Sequence, residues 1–136
     1  MDRLFELVNL IKTARFIWIC GNGGSASTAE HFTTDLVKKG YPAICLNSNN
    51  SVLTMIANDY GYDKVFTKQF QVYANSQDLL VTLSCSGTSP NVVSVIQQAR
   101  VLNVKHFEFE TFDEIRDFGK LEDKHLAFAH EVAKTL

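Results

Sequence analysis

The amino-acid sequence predicts an α/β protein with a doubly wound parallel sheet flanked by helices. Short continuous apolar runs, such as Arg15 to Cys20, are typical of strands that are covered on both faces. A glycine-rich or serine-rich loop follows two of these runs, and each loop opens a segment with helical character. Because parallel strands need long crossover connections, this repeated order predicts a parallel sheet whose ligands lie beyond the carboxyl ends of the strands.

The first half of the chain opens with an apolar helix. Between Leu4 and Ile11 the apolar residues form a helical stripe so wide that one neighbouring surface would hardly cover it, which predicts an oligomer contact. The next elements are a strand from Arg15 to Cys20, a helix from Ser25 to Lys39 and a strand from Ala43 to Leu46.

The second half continues the alternation. Its predicted elements are helical pieces from Val52 to Ala57 and Val65 to Ala74 around a turn at Asn58 to Gly61, a strand from Leu79 to Leu83, a helix from Pro90 to Leu102 capped by Ser89, and a last helix from Glu122 to Thr135. The segment from Asn103 to Leu121 can hold one strand, around His106 to Phe112. It is too short for two parallel strands, since the crossover between them takes roughly a dozen residues.

Length and composition restrict the class of protein. A chain of 136 residues favours one domain, residues 1–136. Its net charge of -2 argues against nucleic acid and anionic membranes as partners. Three widely spaced cysteines match neither a disulfide framework nor a zinc ribbon, and the start lacks the pattern of a secretion signal, so we expect a cytoplasmic protein.

Two loops have the composition of anion-binding sites. The first loop, Gly21 to Ala26, follows a strand and opens a helix, so backbone N–H groups and the positive end of the helix dipole converge there. It also satisfies GxGxxA, but no acidic residue follows the next strand to hold a ribose, which argues against a nucleotide cofactor. The serine loop, Ser84 to Ser89, repeats this setting with hydroxyls that can donate to phosphate. Tight-turn and capping chemistry remain the alternatives for both loops.

His31 and Asp35 stand four residues apart on the helix that follows the first loop, and this spacing places them on one face. A histidine and a carboxylate so placed can form an acid-base pair or two metal ligands. A solvated helix face is the alternative.

Four separated motifs in this order resemble the phosphoheptose isomerases of the sugar isomerase (SIS) domain superfamily. The matching stretches are Gly21 to Ser27 with His31-Phe32, Thr54 to Gly61, Leu83 to Val92, and Asp117 to His130. The resemblance implies a flavodoxin-like three-layer sandwich, here trimmed near the fourth and fifth strands. It also implies conversion of sedoheptulose 7-phosphate to D-glycero-D-manno-heptose 7-phosphate for lipopolysaccharide or capsule synthesis, by a zinc-dependent homotetramer.

The resemblance also assigns roles to residues. The implied metal ligands are His31, Asp35, Glu122 and His130. Asp35 replaces the usual glutamate and Glu122 replaces the usual glutamine of the family. We expect Asp35 to act as the base, His130 as its acid partner and His31 as a positioning group. The expected substrate-binding residues are Asn22, Gly23, Gly24, Ser25, Asn58, Asp59, Ser84, Cys85, Ser86, Thr88, Ser89 and Glu122.

Two further histidines, His106 and His125, are expected to have structural or surface roles. The competing hypothesis is a non-catalytic SIS module that binds a sugar phosphate or a protein partner such as a replication initiator. The short segment between Leu102 and Asp117 and the altered acidic residues favour that hypothesis, whereas His31, Asp35 and His130 together favour chemistry.

Overall fold

A computed structural model describes residues 2–114 and 116–136. Its helices are α1 (Arg3–Thr13), α2 (Gly24–Lys38), α3 (Asn50–Tyr60), α4 (Thr67–Tyr73), α5 (Pro90–Val101) and α6 (Phe118–Thr135), with a 3-10 turn at Tyr62–Lys64. The strands are β1 (Ile17–Gly21), β2 (Ala43–Cys45), β3 (Leu79–Leu83) and β4 (Lys105–Glu108).

The four strands form one parallel sheet in the order β2-β1-β3-β4. The predicted α/β fold class is therefore confirmed. Gly21 at the end of β1 is in register with Leu83 at the end of β3. This register places the first loop and the serine loop side by side at the carboxyl edge of the sheet.

Side chains from β1 alternate between two hydrophobic layers. Ile17 and Ile19 pack in the layer formed with α1, α2 and α6, while Trp18 and Cys20 pack in the layer formed with α3, α4 and α5. All five residues of β1 are buried, as they are in β3. Burial on both faces explains why these strands are continuous apolar runs rather than alternating ones.

An ion pair between the buried Asp78 and the exposed Arg15 closes the amino edge of the sheet. The Asp78 carboxylate accepts hydrogen bonds from Arg15 Nε at 2.7 Å and Trp18 Nε1 at 2.9 Å, and from the backbone N–H groups of Phe16 and Asn75. Burial alone would raise the pKa of Asp78, but the hydrogen bonds from Arg15, Trp18 and Asn75 hold it below its usual value. This carboxylate therefore ties β1 to the segment before β3.

Several predicted boundaries were wrong. Helix α3 continues through Asn58 and Asp59 to Tyr60, so the predicted turn starts only at Gly61, whose φ is 105°. Helix α6 begins at Phe118, because the Asp117 side chain accepts a hydrogen bond from Lys120 N at 3.1 Å.

The predicted strand around His106 to Phe112 is shorter than expected and ends at Glu108. Beyond it, Phe109 N still donates to Thr82 O, and Phe112 N donates to Cys85 O. Residues 105–108 form the single strand within the described part of segment 103–121, in agreement with the predicted trimming.

The apolar stripe on α1 is mostly covered within the chain. Leu7, Val8 and Ile11 are buried in the core, and Leu4 and Leu10 pack against it. Phe5 is the large apolar side chain of α1 that is exposed, at 48%. Two surfaces, the sheet and α6, cover the stripe together, in agreement with its predicted width, and the oligomer contact stays a prediction. None of the helices within the described residues has the length and apolar character of a membrane span.

Candidate active site

The first loop depends on glycine at two positions. A Cβ on Gly21 would lie 2.8 Å from the backbone oxygens of Leu83 and Ser25, so only glycine lets β1 pass this close to β3 and α2. Gly23 has a φ of 57° and is the N-cap of α2, without a side chain to satisfy the N–H groups of the first turn. The positive end of the α2 dipole therefore faces the mouth of the loop.

Side-chain amides hold the first loop in place. Asn22 and Asn91 exchange two hydrogen bonds, at 2.8 and 2.9 Å, and Tyr62 Oη donates to Asn22 Oδ1 at 3.1 Å. Asn47 Nδ2 donates to Gly21 O at 2.7 Å and its Oδ1 accepts from Gly21 N. Sequence reasoning missed the roles of Asn91, Tyr62 and Asn47. The burial of Asn91 in the first turn of α5, which requires a partner for its amide, is visible only in the structure.

The serine loop presents hydroxyl groups in a defined arrangement. Ser84 Oγ accepts a hydrogen bond from Gly87 N at 3.1 Å, and Ser86 Oγ accepts one from Thr88 N at 3.1 Å. Each hydroxyl therefore uses a lone pair on the loop and keeps its proton for a ligand. Ser89 occupies the N-cap of α5 as predicted, but its side chain makes no capping bond, which contradicts the predicted cap.

Cys85, between Ser84 and Ser86 in the serine loop, carries an uncharged thiol. It is buried, and burial raises the pKa of its thiol; a hydrogen bond with Ser25 lowers that pKa, and the negative charge of Glu122 raises it. The net shift is upward, so the thiol is neutral near pH 7. The thiolate, not the neutral thiol, is the form of cysteine that acts as a nucleophile or binds a metal, so Cys85 is expected to do neither.

His31, Asp35 and His130 converge between α2 and α6. The Nε2 atoms of His31 and His130 are 3.1 Å apart, and His31 Nε2 lies 3.4 Å from Asp35 Oδ2. The side chain of His31 is half exposed and that of Asp35 is one quarter exposed, so substrate and water can reach both. Two imidazoles and a carboxylate in contact can bind, donate and accept protons in one place.

The same three side chains match the donor set of a metal site. Their ligand atoms all lie within 4.8 Å of one another. Ligands on a tetrahedral zinc at about 2.0 Å would be separated by about 3.3 Å, close to the distances within this group. Two histidines, one carboxylate and an open fourth position are also the pattern of catalytic zinc sites. The residues therefore fit a divalent metal of the zinc type.

Glu122 lies apart from this group. Its carboxylate packs against Gly24, where a Cβ would come within 2.7 Å of the Glu122 carboxyl carbon. His130 follows eight residues later on α6, a rise of about 12 Å, and stands beside His31 on α2. The two helices therefore run in the same direction, and they bring Glu122 to the start of α2 rather than to the ligand group of His31, Asp35 and His130.

The remaining residues that the sequence analysis singled out are Asn58, Asp59, His106 and His125. Asn58 Nδ2 donates to Asp59 Oδ1 at 3.0 Å on the exposed last turn of α3, just before the turn that carries Tyr62. His106 bonds Thr82 Oγ1 at 2.8 Å, and its pKa is lowered by burial and by Arg100 to about 4. His125 is buried, and its Nε2 bonds Glu110 O at 2.6 Å, which agrees with a structural role.

Comparison with protein families identifies the domain. Residues 5–106 match the family model described as the SIS domain, which is most of the chain. The chain belongs to the SIS domain family.

The relatives of this SIS domain agree with the resemblance that its motifs showed. It is 40% identical over 122 residues to a phosphoheptose isomerase of Aliarcobacter butzleri and 40% identical over 121 residues to one of Helicobacter pylori. Each match covers 85% of this chain but only 62% and 61% of the relative. The chain therefore spans about three fifths of the length of these curated relatives.

Solved structures give the same result for the fold. The phosphoheptose isomerase of Neisseria gonorrhoeae superposes with a TM-score of 0.87 at 27% identity, covering 97% of this chain and 81% of that one. The enzyme from Francisella tularensis superposes equally well, at 23% identity and 82% coverage of that chain, which supports the fold alone.

Proposed function

We propose that this protein is an aldose-ketose isomerase that converts sedoheptulose 7-phosphate to D-glycero-D-manno-heptose 7-phosphate. The observation that carries the proposal is the contact of His31, Asp35 and His130 on the two helices that flank the first loop. The similarity to phosphoheptose isomerases supports the same activity. A module that only binds sugar phosphates would need the loops but not this group.

The proposed chemistry moves one proton between neighbouring carbons. Asp35 removes a proton from C1 of the ketose, and the electrons of that C–H bond form the C1–C2 double bond of an enediolate. His130 donates a proton to the oxygen on C2 and then accepts the proton that the hydroxyl on C1 releases as the C1 carbonyl forms. Return of a proton to C2 yields the aldose, so no oxidant or reductant is required.

His31, Asp35 and His130 are the residues that would hold a divalent metal, which we propose to be zinc. A bound metal would stabilise negative charge on the substrate oxygens. With or without a bound metal, the 3.4 Å contact between His31 and Asp35 fixes the direction of the Asp35 carboxylate.

The two loops and the group of His31, Asp35 and His130 would divide the contacts with the sugar phosphate. Ser84, Ser86, Thr88 and Ser89 would bind the phosphate, and Asn22, Gly23, Gly24, Asn58 and Asp59 would line the carbon chain. The reacting carbons would lie beside His130, whose helix rises by about 12 Å between the level of Gly24 and this histidine.

The setting of the enzyme is also part of the proposal. We propose a single SIS domain that acts as a homotetramer in the cytoplasm and supplies heptose for lipopolysaccharide or capsule. Phe5 on α1 is one of the exposed apolar residues that an assembly could cover. A neighbouring subunit could then contribute to a site whose His31 is half exposed.

Deuterium exchange tests the activity directly. The protein is mixed with sedoheptulose 7-phosphate in D2O, and deuterium at C2 of the aldose is followed by NMR. We expect incorporation with the unmodified protein and with Glu30→Gln, an exposed carboxylate on the same helix, and none with Asp35→Asn. Binding of the ketose phosphate without any exchange would refute the isomerase and favour the non-catalytic module.

A further inference from the structure

A cleft between the start of α1, the end of β4 and helix α6 is lined by aromatic rings. Its volume is about 230 Å³, and Phe107, Phe109 and Phe128 form its apolar wall. The three rings pack on one another with centroid distances between 5.1 and 6.1 Å. An apolar cavity of about 150 Å³ is already large enough to bind benzene. This aromatic cleft therefore has room for one aromatic ring with small substituents.

One side chain that lines the aromatic cleft, His125, has a buried nitrogen without a hydrogen-bond partner. His125 Nε2 lies 2.6 Å from Glu110 O, and because a carbonyl oxygen only accepts, Nε2 carries the proton of this bond. In the neutral ring Nδ1 is then an acceptor, and it lacks a partner among the residues that the structure describes. Because an unpaired buried polar atom costs free energy, a ligand that donates a hydrogen bond to Nδ1 would be stabilised.

The charges around the aromatic cleft favour an anion. Arg3 and Lys124 supply two positive charges and Glu110 supplies one negative charge. Lys124 Nζ lies 3.9 Å from Glu110 Oε2, whereas Arg3 has no carboxylate partner within the described part of the chain. The Arg3 guanidinium lies 4.4 Å from the centroid of the Phe107 ring and donates to Glu108 O. Its remaining N–H groups can therefore bind a carboxylate at the edge of the aromatic wall.

We propose that the aromatic cleft is a second binding site, which takes a small aromatic hydroxy acid. The ring of the ligand lies among the three phenylalanines, its carboxylate pairs with Arg3, and its hydroxyl donates to His125 Nδ1. A sugar phosphate lacks the apolar ring that this wall requires. The described lining of the cleft shares no residue with the two loops or with the group of His31, Asp35 and His130, so this inference does not depend on the proposed function.

Three related probes test the three contacts one at a time. The probe para-hydroxyphenylacetate carries the ring, the carboxylate and the hydroxyl, whereas phenylacetate lacks the hydroxyl and para-cresol lacks the carboxylate. The dissociation constant of each probe is measured by protein NMR, and the Nδ1 resonance of His125 reports the hydrogen bond directly. We expect para-hydroxyphenylacetate to bind most tightly. Phenylacetate should bind about five- to tenfold more weakly, because it cannot donate to Nδ1. Para-cresol should bind about two- to fivefold more weakly, since the pair that it loses is exposed.

Two variants assign these differences to residues. Arg3→Gln should weaken both carboxylates by about two- to fivefold and leave para-cresol unchanged, which separates the loss of a charge from a collapse of the cleft. Lys12→Gln is the matched control, since Lys12 is an exposed lysine on the same helix, and it should bind all three probes as the unmodified protein does. His125→Gln keeps an N–H donor and lacks the Nδ1 acceptor, so it should bind para-hydroxyphenylacetate and phenylacetate equally.

The outcomes that would overturn the second site are distinct from those that test the isomerase. Equal affinity of the unmodified protein for para-hydroxyphenylacetate and phenylacetate, or an unchanged Nδ1 resonance, would overturn the contact with His125. Displacement of the probe by sedoheptulose 7-phosphate would place it in the isomerase site and overturn the second site. The absence of saturable binding of all three probes at millimolar concentration would overturn it as well. Binding at the cleft by a protein that shows no deuterium exchange would support this inference while the proposed function fails.

Discussion

Replacement of Ser84 and Ser86 by alanine should weaken binding of the sugar phosphate without unfolding the protein. Both hydroxyls accept a loop N–H and keep a proton to donate to the ligand. At about 1 to 1.5 kcal/mol for each hydrogen bond, loss of both donors costs about 2 to 3 kcal/mol. The dissociation constant should therefore rise by about 30- to 150-fold.

The two serines should not contribute equally. Ser84 is buried, so its removal leaves the Gly87 N–H without a partner and with little access to water. Ser86 is more exposed, and water can replace its bond to the Thr88 N–H. Ser84→Ala alone should thus weaken binding more than Ser86→Ala alone, because it also loosens the loop.

Isothermal titration with sedoheptulose 7-phosphate measures both effects, and circular dichroism checks the fold of each variant. Ser76→Ala is the matched control, since Ser76 is an exposed serine before β3, at the opposite edge of the sheet. Affinity of the double variant equal to that of Ser76→Ala would refute the assignment of phosphate to the serine loop.

Three further predictions concern the metal, the assembly and the stability of the fold. His31→Ala should abolish stoichiometric zinc uptake in elemental analysis while Cys85→Ser retains it, because His31 belongs to the three-ligand group and Cys85 does not; equal uptake would contradict the site. Light scattering should find an oligomer at micromolar concentration, and a monomer would refute the tetramer. Asp78→Asn should lower the free energy of unfolding by about 1 to 3 kcal/mol at pH 7, since the amide NH2 cannot accept the hydrogen bonds that one carboxylate oxygen takes from Trp18 and Asn75. Because the folded pKa of Asp78 is lowered, this loss should be full above about pH 4 and should shrink as the pH falls further; a loss independent of pH in denaturant titrations would contradict the role of its charge.

The sequence by itself determined the layers of the fold and the place of the ligand loops. Strand β3 and the N-terminus of α5 were predicted at the observed residues, because a buried apolar run and a proline at the first helical position are local signals. The pairing of His31 with Asp35 was likewise a local consequence of helical spacing, and the structure places the two side chains in contact.

Tertiary structure alone decided which distant residues meet. Sequence could not separate Glu122 from the ligand group of His130, because their positions depend on how α6 lies along α2. It also could not pair Asn22 with Asn91, which are 69 residues apart in the chain. The period of a helix or strand is set by neighbouring residues, whereas contacts between elements are set by the packing of whole faces. For that reason the two loops could be predicted from the sequence, whereas the contact of the Glu122 carboxylate with Gly24 could not.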